Sequence, residues 1–287
     1  MLKQRIISAV VLIVAVLIAL IWFSPFYLAL TLGVVVTLGV WEWTQFAQIK
    51  TGFWRLLIAG LVGCFLFIWI FGEARYLRVG RVFENYSALL LLSSVLWWAA
   101  ALIFVVNYPN SANIWGKSAF LQLIFSFLTL IPFFTAVLRL RLEHYYVEQY
   151  QGLWLLLYVF ILVWAADSGA YFVGRKFGKH KLAPKVSPGK TWEGVFGGLI
   201  TAAVLATLFV QLTPQNLFRL PTALFIGLSV CTVAISILGD LTESMFKREC
   251  KIKDSSQLIP GHGGVLDRID SLTAAVPFFA YFYFYVL

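Results

Sequence analysis

Long apolar runs alternate with short polar intervals along the whole of this chain. Each run approaches the ~20 residues that cross about 30 Å of hydrocarbon as a helix. Nine can be traced, at 6–23, 26–46, 53–71, 87–106, 118–138, 153–173, 194–212, 222–240 and 271–287. The pattern predicts an all-α fold, a polytopic integral membrane protein with about nine transmembrane helices. The first run follows Lys3 and Arg5, as the core of a secretory signal would. Trp22, Phe23 and Pro25 succeed it in place of a small-residue cleavage site, so it is read as a retained helix.

The polar intervals set the orientation, because Lys and Arg favour the cytoplasmic side of a membrane. With the N-terminus in the cytoplasm, 16 of the 22 Lys and Arg fall on that side, including Lys50, Arg55, Lys117 and two dense groups at Arg175–Lys190 and Lys247–Arg268. The far side receives Arg75, Arg78, Arg81, Arg139, Arg141 and Arg219. Only runs seven and eight separate the two lysine-rich groups, so these share a side whatever the parity of the early runs.

Composition excludes a water-soluble globule. Of 287 residues 61% are hydrophobic and 12% charged, against roughly 25% charged in soluble domains. The net charge of +9 lies in the intervals between apolar runs. Lipid head groups and nucleotide phosphates are therefore the expected partners, and nucleic acid is not. Cys64, Cys231 and Cys250 have neither the spacing of a zinc site nor that of a disulfide framework.

Acidic residues are placed unevenly. All five aspartates, Asp167, Asp240, Asp254, Asp267 and Asp270, lie in the second half. Glu42, Glu73, Glu84 and Glu143 stand near the ends of early runs, where solvation accounts for them. The chain thus divides into a lipid-facing scaffold, 1–150, and a unit at 151–287 that carries the chemistry, concentrated between about residues 160 and 271.

The polar interval Ser244–Asp270 is the densest in chemistry. If the eighth helix continues past the membrane surface, Asp240, Ser244 and Lys247 fall on one face by their i, i+4, i+7 spacing. The plainer alternative is a helix end with snorkelling charges. Asp267 and Asp270, spaced i, i+3 around Arg268, repel unless a cation separates them. Magnesium suits such hard oxygen ligands and completes its shell with water and phosphates. An acidic first helical turn would explain one of the two. The glycines of His262-Gly263-Gly264 permit a tight turn and let backbone N–H groups approach an anion. Lys247, Arg248, Lys251 and Lys253 can anchor the chain at the membrane and contact phosphate together.

Two earlier segments add candidates. Gly189-Lys190-Thr191 invites a P-loop assignment, but the glycine required five residues before Gly189 is Pro184, and no strand–loop–helix setting is evident. Lys190 can still act as a point charge on phosphate, and Ser187 or Thr191 can cap the next helix. Asp167 lies near the end of the sixth run. It is either a site residue or the interfacial partner of Arg175 or Lys176.

Three ordered segments between about residues 164 and 271 resemble those of the phosphatidate cytidylyltransferases, or CDP-diacylglycerol synthases. The most specific comprises Ser244, Lys247, Arg248, Lys253, Asp254, His262, Gly263, Gly264, Asp267, Arg268 and Asp270. The second comprises Ser187, Pro188, Lys190, Thr191, Glu193 and Gly194, and the third Asp167, Ala170, Tyr171, Gly174 and Arg175. The resemblance implies transfer of a cytidylyl group from CTP to phosphatidic acid with one or two Mg2+ ions. It also implies a homodimer, while the compact length without organelle signals suggests a bacterial inner membrane and the Lys/Arg bias puts the catalytic loops in the cytoplasm. Asp240, Asp267 and Asp270 become the expected metal ligands, with Lys190, Lys247 and Arg248 as further catalytic groups. Asp167, Ser187, Thr191, Ser244, Lys253, His262, Gly263, Gly264 and Arg268 become substrate-binding candidates. Two other readings compete: a CTP-dependent lipid kinase, which would need a base such as Asp167 for an alcohol, and a transporter, whose binding groups would sit near the bilayer midplane.

Overall fold

The computed structural model describes residues 2–74, 84–213 and 220–287. Its helices are α1 (Leu2–Trp22), α2 (Pro25–Trp43), α3 (Gly52–Gly72), α4 (Glu84–Val106), the single turn α5 (Ala112–Trp115), α6 (Ala119–Arg141) and α7 (Gln151–Phe177), followed by α8 (Trp192–Leu212), α9 (Thr222–Glu249) and α10 (Leu266–Tyr281). A wider π turn, Phe282–Val286, ends the chain. Between α7 and α8 lies an antiparallel hairpin of β1 (Lys181–Ala183) and β2 (Ser187–Thr191).

Among the described residues, eight helices are long and apolar enough to cross a membrane, and Val10–Trp22 of α1 is a shorter apolar stretch. These nine segments follow the nine predicted runs in order. Contacts between distant elements fix which ends lie together. Ser8 meets His262, Gln45 donates to the Ser255 carbonyl, Gln48 to that of Gly116 and Arg248 to that of Val186. Both lysine-rich intervals therefore occupy one end of the bundle. At the opposite end Arg141 donates to the Leu20 carbonyl, and Ser87 meets Tyr285. Arg75, Arg78, Arg81 and Arg219, assigned above to that end, lie outside the described residues.

Two helices pass the limits set by hydropathy. α9 runs to Glu249 instead of stopping at 240, and α10 begins at Leu266 instead of 271. Apolarity marks where lipid contact ends, whereas the helical hydrogen bonds continue into polar sequence. The macrodipole favours these extensions, with Lys247 and Arg248 in the last turn of α9 and Asp267 in the first turn of α10. Phe246, fully buried on α9, packs against Trp43 of α2, Trp115 of α5 and Phe125 of α6 at ring-centroid distances of 5.6, 5.0 and 6.1 Å. This aromatic cluster clamps the site-bearing helix to the first half of the chain.

α7 and α8 approach closely because small residues line their contact. A Cβ on Gly197 would stand 2.6 Å from the branched side chain of Val173. Gly197→Ala is expected to lower stability by about 1–3 kcal/mol through overpacking. A thermal midpoint equal to that of the parent in detergent would contradict this packing.

Early glutamates depart from the solvation expected of them. Glu42 is wholly buried. Glu143 is 4% exposed and pairs with Arg139 at 2.9 Å. Both acids turn to protein groups instead of solvent, a demand that their position at a span end conceals.

Candidate active site

The polar end of the bundle gathers side chains from α7, the hairpin, α9 and α10. On α9 the expected stripe is present: Ser244 Oγ donates to Asp240 Oδ1 at 3.2 Å, and Lys247 follows one turn further on. Lys247 Nζ reaches Asp267 Oδ1 at 2.7 Å and Glu243 at 3.3 Å. The cation between neighbouring acids is here first of all a lysine.

The segment around Lys190, part of a polar interval in the sequence, folds as a hairpin. Lys181 pairs with Thr191 and Ala183 with Ser187, and β2 runs directly into α8. Gly189-Lys190-Thr191 lies within the strand, so a phosphate-cradling loop between strand and helix does not form. Thr191 Oγ1 accepts from Gly194 N–H at 3.2 Å, capping α8 as expected. Glu193 accepts from the backbone and ring nitrogens of His180, which staples the start of the hairpin to the first turn of α8. Arg248 Nε donates to the Val186 carbonyl at 3.1 Å and ties the hairpin to α9. So placed, Lys190 Nζ lies 2.7 Å from Asp240 Oδ2.

Asp267 organises the loop before α10. Its Oδ2 accepts from Ser255 N–H, Ser255 Oγ and Gly264 N–H at 2.8, 2.9 and 2.8 Å. Gly263 has φ +85°, and a Cβ on Gly264 would collide with the Ser255 hydroxyl and the Glu42 carboxylate. The anion approached by this glycine pair is thus a protein carboxylate. Asp270 stands where α9 and α10 cross, since a Cβ on Gly239 would be 2.6 Å from the Asp270 carbonyl oxygen. Its own carboxylate accepts from Ser271 N–H at 2.7 Å.

A cavity of about 560 Å3 opens beside this cluster, with Asp167, Tyr171, Arg175, Ser187, Lys190 and Asp240 on its wall. Asp167 is exposed to it, and Arg175 turns instead to the Tyr171 hydroxyl at 3.1 Å. Ala170, Val195 and Ile237 line the same cavity, so polar and apolar walls meet within one space. Not every candidate is drawn in. His262 Nδ1 contacts Ser8 Oγ of α1 at 2.7 Å, while Lys253 and Arg268 are exposed. The Cys250 thiol, pushed up to about 11 by burial, remains a protonated donor to the Gln45 and Phe46 carbonyls.

Sequence reasoning missed Glu243, Ser255 and Glu42. Glu243 falls one turn before Lys247 on the same helix, a spacing that could have drawn notice. Ser255 and Glu42 meet across 213 residues, and local sequence carries no signal for that contact.

The donor set suits a hard cation. Five acids, Asp167, Asp240, Glu243, Asp267 and Asp270, share this end with the ammonium groups of Lys190 and Lys247. Among the described residues no three acid or imidazole groups converge tightly enough to enclose an ion alone. Magnesium needs no such cage, because it takes one or two carboxylates and fills its shell with water and substrate phosphate.

These features gather acids and lysines at the polar end of an apolar bundle, an arrangement suited to phosphate chemistry in a membrane. Residues 3–286 match the cytidylyltransferase family. A phosphatidate cytidylyltransferase of Haemophilus influenzae is 65% identical over 289 residues, covering 100% of both chains. One from Pseudomonas aeruginosa is 44% identical over 98% of this chain and 96% of its own. One from Bacillus subtilis is 46% identical over 47% of this chain and 51% of its own. The chain belongs to the cytidylyltransferase family.

Proposed function

We infer that this protein transfers the cytidylyl group of CTP to phosphatidic acid, giving CDP-diacylglycerol and pyrophosphate. The observation that carries the reading is the cavity in which Lys190 and Asp240 meet an apolar wall within the bundle, suited to joining a nucleotide phosphate to a lipid phosphate. Full-length similarity to two proteins named phosphatidate cytidylyltransferase supports the same substrates.

A lipid phosphate oxygen attacks the α-phosphorus of CTP, and the bond to the bridging oxygen of the β-phosphate breaks. The attacking phosphate is ionised at neutral pH, so its activation needs no strong base. The residues must position three anionic groups and neutralise charge on the leaving pyrophosphate. Lys190, held on the hairpin, and Lys247 and Arg248 on α9 supply positive charge. Asp240 and Asp270 would hold magnesium, with Asp267 joining them through the oxygen that now receives Lys247. Magnesium held by these acids would supply positive charge against the charge that develops on the phosphates. Ser244 orients Asp240. Asp167, Ser187 and Thr191 lie along the cavity as substrate-facing groups.

In this reading the lysine-rich end faces the cytoplasm across a bacterial inner membrane, where CTP is available. The homodimer expected from the resemblance belongs to the same reading, and the mass of the solubilised complex tests it.

The deciding experiment uses purified protein with phosphatidic acid, magnesium and α-phosphate-labelled CTP. Label should enter the lipid phase as pyrophosphate is released. Label remaining in water as CDP would mark a kinase, and no nucleotide turnover by folded protein would overturn the reading. In this assay Lys190→Ala is expected to lower kcat by about 10²–10³-fold, the usual cost of removing a group that stabilises transition-state charge. A loss under tenfold would remove Lys190 from the mechanism.

A further inference from the structure

We propose that Glu42, on the last turn of α2, is a positioning residue that sets α10 in the register placing Asp267 and Asp270 beside α9. The inference rests on the reaction proposed above for its kinetic meaning, and on geometry alone for its structural part.

A helix start leaves backbone N–H groups without intrahelical partners, and Ser, Thr, Asp or Asn usually caps it from the adjacent position. α10 has Val265 there, with no side-chain cap of its own. Its cap comes from Glu42, more than 200 residues away. Val265 N–H donates to Oε1 at 2.8 Å and Leu266 N–H to Oε2 at 2.7 Å. Two hydroxyls complete the shell: Ser256 donates to Oε1 at 2.6 Å, and the Ser255 hydroxyl, 3.1 Å from Oε2, shares its single proton between Glu42 and Asp267. The carboxylate is wholly buried and, among the described residues, makes no ion pair. These groups meet the carboxylate at the N-terminus of α10, the end of the helix where its unpaired N–H groups point.

Ser255 links this cap to the acid cluster, because the hydroxyl facing Glu42 also lies 2.9 Å from Asp267 Oδ2. Asp267 follows Leu266 directly, and Asp270 comes three residues later. Any shift in the start of α10 therefore moves both acids. Misplacement of reacting groups by about 1 Å can cost roughly 10²-fold in rate. Apolar packing alone could seat this helix; a buried carboxylate with four donors adds a fixed rotation and depth.

The test compares the parent chain with Glu42→Gln, whose amide nitrogen would face one of the Val265 and Leu266 donors in place of an acceptor oxygen, and with Ser256→Ala, which removes one bond and leaves the carboxylate. Three readouts are taken on solubilised full-length protein: kcat and KM for CTP, the magnesium concentration for half-activation, and hydrogen exchange of the Val265 and Leu266 amides. Supporting groups around a metal site typically alter affinity or activity by about 10–100-fold. Glu42→Gln should therefore lose about 30–100-fold in kcat, with KM for CTP within about threefold. It should need about tenfold more magnesium and exchange both amides faster. Ser256→Ala should shift kcat and exchange the same way by a few-fold. Folded Glu42→Gln with parental kcat and magnesium requirement overturns the proposal, even if its midpoint falls. Where Glu42→Gln does not fold, Ser256→Ala decides, and parental kcat and exchange overturn it. If the parent fails to transfer the nucleotide, the reaction proposed above falls, while exchange still decides whether Glu42 holds α10.

Discussion

Changing Asp240 or Asp270 to Asn is expected to lower CTP turnover by at least about 10³-fold, roughly 4 kcal/mol of transition-state stabilisation. The folded protein should be as stable as the parent or more so. Activity and stability separate here because of how these two acids are held. Asp240 is half-buried, with Lys190 and Ser244 on its oxygens, and Asp270 receives one backbone hydrogen bond. Both stand among other acids, so losing one negative charge relieves repulsion in the resting protein. The same charge is what a magnesium ion and the nucleotide phosphates require. Stability bought at the expense of activity is the usual signature of a strained functional site. Label transfer from α-labelled CTP and thermal unfolding of the same preparations check both halves. Activity within tenfold of the parent in either variant would exclude that acid as a metal ligand.

Lys247→Met should behave in the opposite way and lose stability first. Lys247 bridges Glu243 and Asp267, and the side chains of all three are at most 13% exposed. Among the described residues no other cation contacts either acid. Removing one partner from such a buried arrangement leaves uncompensated charge, and the expected cost is about 3–5 kcal/mol. The double change Lys247→Met with Glu243→Gln should recover part of it, because the two sites are in contact and couple by about 0.5–3 kcal/mol. Unfolding midpoints of the parent, both single variants and the double variant complete the cycle. Strict additivity would show that the two side chains do not share their charge balance.

The parts legible in the sequence are those determined by neighbours along one helix. Asp240, Ser244 and Lys247 announce their common face by spacing, and the helix that bears them needed only to extend past the apolar limit to fulfil it. Thr191 before Glu193 and Gly194 likewise marks a helix cap. Partners brought from elsewhere in the fold were not legible. Glu42 at the end of an apolar run looks like a solvated acid until Ser255, Ser256, Val265 and Leu266 are placed around it. The Ser8 hydroxyl beside His262 Nδ1 comes from 254 residues away, and local sequence does not announce it. The hairpin was hidden for a different reason: Pro188 and Gly189 are poor strand formers, and the pairing of β1 with β2 beneath Arg248 overrides them.

The cap on α10 also orders events during synthesis. Glu42 and the Val265 amide are 223 residues apart, and at about 5–20 residues per second that separation lasts on the order of ten to forty-five seconds. Until Ser255 and Ser256 are made, close to the end of this interval, the carboxylate has none of its four donors. Its place at the end of α2 then matters, because headgroup water can solvate it there while the later helices are inserted. Docking of α10 exchanges that water for protein donors, so the acid cluster of α9 and α10 is completed only after nearly the whole chain has been made.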